Sequence, residues 1–191
     1  MRWSMVAVAA TPGLVLAIAG LFHPSDLTVA TAPTWWWLHV LLLPVFPLLG
    51  GVLVLLLRGE RDWISWIGRV AAYVYAVFYT GLDVLAGIGA GYVFDSAGRP
   101  SQAVVDLLKI GNELAVYGVH AFLVAAIATG IVAIRRDGIA AFPGALLLIA
   151  AAVPFLQAHI YWPVGGLAMV GLAVGSAALE WARGEPAAVP A

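Results

Sequence analysis

The sequence predicts an all-α fold: a polytopic integral membrane protein, a six-transmembrane-helix bundle with both termini cytoplasmic. Three observations lead there. Of 191 residues, 63% are hydrophobic and only 10% are charged, with a mean hydropathy of +1.01, whereas a soluble domain carries about 25% charged residues. Apolar runs close to the ~20 residues a helix needs to cross a bilayer recur at about 5–22, 36–57, 70–94, 110–134, 139–159 and 164–181. The connections between them are short and hold most of the charges, so residues 1–191 read as one membrane domain.

The first run ends at His23-Pro24. "ATA" at 30–32 resembles a signal-cleavage site, but the bond there precedes Pro33 and the apolar run stops about ten residues too early, so the helix is expected to be retained. The second run opens on Trp35, Trp36 and Trp37, which read as an interfacial anchor rather than a ligand platform. It carries Pro44 and Pro47 below His39, where missing N–H groups bend the helix and widen what lies above. The third run places Tyr75, Tyr79 and Asp83 four apart on one face. Its "GIGAGY" at 87–92 lacks the strand-turn-helix context of a dinucleotide loop and the signature of a channel filter. Gly87 and Gly91 instead form a small-xxx-small pair for close packing, as do Gly171 and Gly175 in the sixth run. The fourth run sets Glu113, Tyr117 and His120 on one face, and the fifth places Pro154 beneath Gln157 and His159.

Arginine counts orient the bundle. Arg2, Arg58, Arg61, Arg69, Arg135, Arg136 and Arg183 fall at one set of ends, and only Arg99 and Lys109 at the other. The positive-inside rule puts the first set in the cytoplasm and the chain in the cell membrane. Trp3, Trp63, Trp66 and Trp181 then form the inner aromatic belt, and Trp35–Trp37, Tyr92, Tyr161 and Trp162 the outer one.

Several function classes drop out. A net charge of −1 with scattered basic residues leaves no footprint for nucleic acid. With no cysteine, thiolate catalysis, iron–sulfur clusters and zinc–thiolate sites are excluded, and imidazole and carboxylate remain as metal ligands. No Gly-x-Ser-x-Gly, His-Glu-x-x-His or inverted repeat is present.

All four histidines fall in the outer half of this arrangement. His23 reads as the end of a helix in the headgroup region. His39 and His120 lie within helices, where a polar ring must turn inward and find a partner, and they are the expected cofactor ligands. Asp83 sits near a helix centre, where a carboxylate costs about 2.5–3.5 kcal/mol. It joins His39, His120 and His159 as the expected metal set, and Asp83 and Glu113 are the candidate catalytic acid–base groups.

Two centres fit these residues: a b-type haem held by two imidazoles, or a non-haem copper, zinc or iron ion. His39 and His120 differ in depth by roughly 7 Å, which a tilted macrocycle tolerates and a compact site corrects through the Pro44 kink. The expected function is a membrane oxidoreductase acting on a quinone or small lipophilic substrate, with metal-dependent hydrolysis as a variant. The bilayer is the expected partner, and a homo-oligomer would form through the Gly-rich faces. Two alternatives stand beside it: a metal-free proton-coupled carrier using Asp83 and a histidine relay, and a helical scaffold or assembly factor.

Overall fold

The structure, a computed structural model, describes residues 2–184. Every regular element among them is helical, and none is a strand. In chain order these are α1 (Arg2–Gly20), α2 (Ala32–Leu42), α3 (Phe46–Leu56), α4 (Trp63–Leu82), a π-helical segment (Asp83–Gly89), α5 (Ala90–Ala97), α6 (Gln102–Asp137), a 3-10 turn (Gly138–Ala141), α7 (Phe142–Ala158) and α8 (Val164–Ala182).

Local chemistry sets these boundaries. The second apolar run breaks into α2 and α3 because Pro44 and Pro47 cannot donate to the carbonyls of Val40 and Leu43. The Asp62 carboxylate caps α4 by accepting from the N–H groups of Ile64 at 3.0 Å and Ser65 at 3.3 Å. The Ser101 hydroxyl caps α6 by accepting from Val104 at 3.4 Å. Capped in this way, both helices start in polar turns ahead of their apolar runs, since a satisfied backbone need not end where the apolar residues do.

Five stretches are long and apolar enough to cross a membrane. One of them, Gln102–Ala158, has 57 residues, about 86 Å of helix against a hydrocarbon core of about 30 Å. It turns at Gly138, where φ is 68° and ψ −147°, a backbone conformation that L side chains rarely adopt. Beyond the turn, α7 packs back along α6.

The helices close into a ring: α1 packs on α3, α3 on α4, α4 on α6, α6 on α7, α7 on α8, and α8 on α1. Inside it, Phe46, Tyr75, Tyr79, Phe122 and Phe155 are fully or almost fully buried and pack in tilted and edge-on pairs with centroid separations of 4.8–6.2 Å. The short α2 lies against the π segment and α5, and this places its histidine over the aromatic core. One end of the ring carries Arg58, Arg69, Arg136 and Arg183; the other carries His23, His39 and His159.

Candidate metal centre

Three separate elements deliver the histidines. His23 follows the last turn of α1, His39 sits inside α2, and His159 closes α7 at φ 45°. One ring nitrogen from each lies within 4.8 Å of the other two.

Hydrogen bonds decide which nitrogens are free. Nδ1–H of His23 donates to the Pro24 carbonyl at 2.7 Å, and Nδ1–H of His39 donates to the Trp35 carbonyl at 2.8 Å. A carbonyl only accepts, so both rings are fixed with hydrogen on Nδ1 and a lone pair on Nε2. Those two Nε2 atoms face each other across 3.5 Å. Two lone pairs at that distance repel unless a cation lies between them. Nδ1 of His159 meets the Tyr79 hydroxyl at 2.5 Å; with Nδ1–H donating to the phenol oxygen, the lone pair is left on its Nε2.

Burial makes imidazolium a poor source of that cation. Desolvation holds the His23 ring below the ordinary histidine range, and holds His159 well below it, with the neighbouring histidines adding to the effect. A transition-metal ion bound by neutral imidazoles fits better. At a metal–nitrogen bond of 2.0–2.1 Å, tetrahedral donors stand about 3.4 Å apart. The His23–His39 pair already has that spacing, and the remaining spacings, none above 4.8 Å, would have to close by at most about 1.4 Å. Each ring's second nitrogen is engaged by a carbonyl or a phenol, the outer-shell arrangement that orients ligating histidines.

Aromatic residues build the walls. The His23 ring packs edge-on against Trp35 at 5.0 Å and Tyr161 at 4.8 Å. Trp35 is itself buried, and its indole N–H donates to the Ala86 carbonyl in the π segment at 3.1 Å. Of the three tryptophans read as an interfacial anchor, Trp35 therefore belongs to the site instead, and Trp37 alone is largely exposed. Gly87 admits the centre: a Cβ there would overlap the His39 ring. Beside the histidines lies a cavity of about 320 Å³, bordered by His39, His159, Tyr79, Trp35 and Tyr161.

The structure brings together two of the expected ligands, His39 and His159, adds His23, and sets the others apart. His120 is exposed, its Nδ1–H donating to the Val116 carbonyl of its own helix at 2.7 Å, and it is not among the clustered histidines. Glu113 is exposed on the same helix. Asp83 is fully buried, and neither carboxyl oxygen has a hydrogen-bond partner. It lies close enough to Tyr75 and Tyr79 to interact electrostatically with both, but neither oxygen bonds to a histidine or to a tyrosine hydroxyl. The signal that would have placed His23 in the set is shared depth: His23, His39 and His159 all fall within about a turn of the same helix ends, whereas His120 lies deeper. Comparison with protein-family models, with characterised proteins and with solved structures finds no match.

Proposed function

We propose that this protein is a metal-dependent membrane enzyme whose non-haem transition-metal ion is held by His23, His39 and His159. The observation that carries this reading is the pair of carbonyl-fixed imidazoles whose lone pairs meet at 3.5 Å. Three protein ligands leave a coordination position open, whereas structural sites close theirs with four. The cavity supplies space at that open side. Imidazole ligands suit zinc, copper and iron. Such an ion supplies Lewis acidity or electron exchange at its open position, redox chemistry being the expectation for copper or iron and hydrolysis for zinc.

The chain's own residues have distinct tasks in this reading. The Pro24 and Trp35 carbonyls hold His23 and His39 in the ligating tautomer. Tyr79 orients His159 and presents a hydroxyl at the cavity edge. Trp35 and Tyr161 roof the site and exclude water. Haem fits less well, because the facing nitrogens of His23 and His39 leave no slot for a macrocycle and His120 turns away from His39.

The bundle would cross the cell membrane six times, with α6 and α7 as separate crossings, the arginine end in the cytoplasm and the histidine end outside. A reporter fused at 135–138 should be cytoplasmic, and an external signal would reverse the orientation. The orphaned carboxyl of Asp83 favours one other reading, a proton-coupled carrier. Beneath Tyr75, however, Phe122 and the α3 leucines pack the interior, and this closes the path a carrier needs.

The deciding measurement is metal content and the visible spectrum of protein purified in mild detergent. One zinc, copper or iron per chain without a Soret band is expected. A preparation that is metal-free and takes up none of these ions on addition would overturn the reading.

A further inference from the structure

The cavity beside the histidines has a definite shape. Its roof is Trp35 and Tyr161, packed on His23. Its floor is Phe155, whose ring meets Phe122 at 5.5 Å and Tyr79 at 5.3 Å. The remaining side lies between α6 and α7, where Asn112, Val116 and Gln157 border the cavity and are also exposed. The space therefore opens sideways through the wall of the bundle, not upward past the histidine loop. On the outward faces of the two helices Ile110 and Tyr117 of α6 and Val153 of α7 are exposed, and so are the polar Glu113 and His120 of α6.

Its lining is mostly apolar, and among the described residues no Asp, Glu, Lys or Arg borders it. The polar groups that do are imidazoles, phenols and the rim amides of Asn112 and Gln157. At 320 Å³ it holds about ten water volumes, enough for a small head and a length of one chain but not for a two-chain glycerolipid.

We propose that the site takes a single-chain lipid with a small, uncharged, oxygen-bearing head, which reaches it laterally from the bilayer between α6 and α7. This rests on the reading of the metal centre, which supplies the partner for the head oxygen. The amides at the mouth pass the polar head inward, and the chain trails out between the helices into the hydrocarbon, so the lipid need not leave the membrane to bind.

The test is photocrosslinking in phosphatidylcholine vesicles with a long-chain alcohol that carries a diazirine on its chain. Adducts are expected on buried Val119 and Phe155 and on lipid-facing Val153. Excess unlabelled alcohol should abolish the first two and spare the third. The corresponding alkane should label the cavity about tenfold less, since it leaves the polar groups there unpaired. Ala115→Trp should block the cavity adducts, with Val116→Trp as the variant at the exposed rim, and both should keep wild-type metal content. Cavity adducts that resist competition, that form equally with the alkane, that persist in both blocking variants or that never form would each overturn the proposal. Metal is measured on the same samples. Saturable adducts in a chain that binds no metal would sink the metal reading alone, and metal without saturable adducts would sink the lipid proposal alone.

Discussion

The two ends of the bundle treat polar side chains in opposite ways. At the arginine end Glu180 is buried, and Arg58 binds both of its oxygens, at 2.6 and 2.5 Å. Arginines take up three carbonyls at the end of α3: Leu55 by Arg58, Leu56 by Arg136 and Arg183, and Leu57 by Arg69. Cations placed there also oppose the negative pole of the helix dipole. At the histidine end each group has an atom left over: three ring nitrogens within 4.8 Å of one another, and a carboxyl with no partner. Polar groups that satisfy one another hold a fold together. Groups that are positioned with care and left incomplete are waiting for something else.

The sharpest way to break this contrast is metal analysis of alanine variants. His23→Ala, His39→Ala and His159→Ala should each lose stoichiometric metal, while His120→Ala, altering an exposed ring, should keep it. Equal loss in all four would dissolve the distinction between a convergent cluster and a scattered set. Next in size is Arg58→Ala. A buried pair broken from one side costs about 3–5 kcal/mol, and because Arg58 is 35% exposed water softens this to about 2 kcal/mol. Thermal unfolding should show that loss with metal occupancy untouched, whereas a drop in occupancy would couple the two ends.

Tyr79→Phe removes only the hydroxyl that orients His159, and metal affinity should fall by about tenfold, the low end for an outer-shell contact, with the fold intact. Unchanged affinity in a metal titration would show that the hydroxyl does not orient the ligand. The smallest effect is expected of Asp83→Asn, because the Asp83 carboxyl bonds to no histidine and stands outside the histidine cluster. A change of about threefold or less in affinity separates it from a ligand, whose loss would fall in or beyond the 10–100-fold range.

How much of this was legible in the sequence depended on the range of the forces involved. The apolar runs mark the helices because hydrophobic length is a local property, and Pro44 with Pro47 marks the α2–α3 break for the same reason. Gly87, read as a packing residue, does admit a neighbour closely; that the neighbour is the His39 ring depends on α2 crossing the π segment, which no periodicity encodes. His23 escaped because the loop after α1 folds back over the bundle, bringing a residue that looks terminal among buried ones. His120 misled because a histidine within an apolar run reads as inward-facing, yet its Nδ1–H finds the Val116 carbonyl one turn back and lets the ring sit on the outer face. Asp83 stood out by its desolvation cost, and the face it shares with Tyr75 and Tyr79 by their spacing, both local properties, but that its carboxyl finds no partner depends on the tertiary packing.

The π-helical winding of Asp83–Gly89 has a mechanical consequence. An i→i+5 turn holds one residue more than an α turn, so everything after it is rotated by about 100° relative to an unbroken α-helix. That extra rotation brings Gly91 against Trp35 and Trp36, and Asp95 within 3.1 Å of the Trp36 indole. The segment therefore works as a gear tooth between α4, which is anchored in the aromatic core, and α2, which carries His39. Removing one residue between Val84 and Ile88 would rewind the helix, swing α5 off α2, and turn the Ala86 carbonyl away from Trp35. The geometry of the histidine cluster is thus set partly by how many residues the neighbouring helix spends on a single turn.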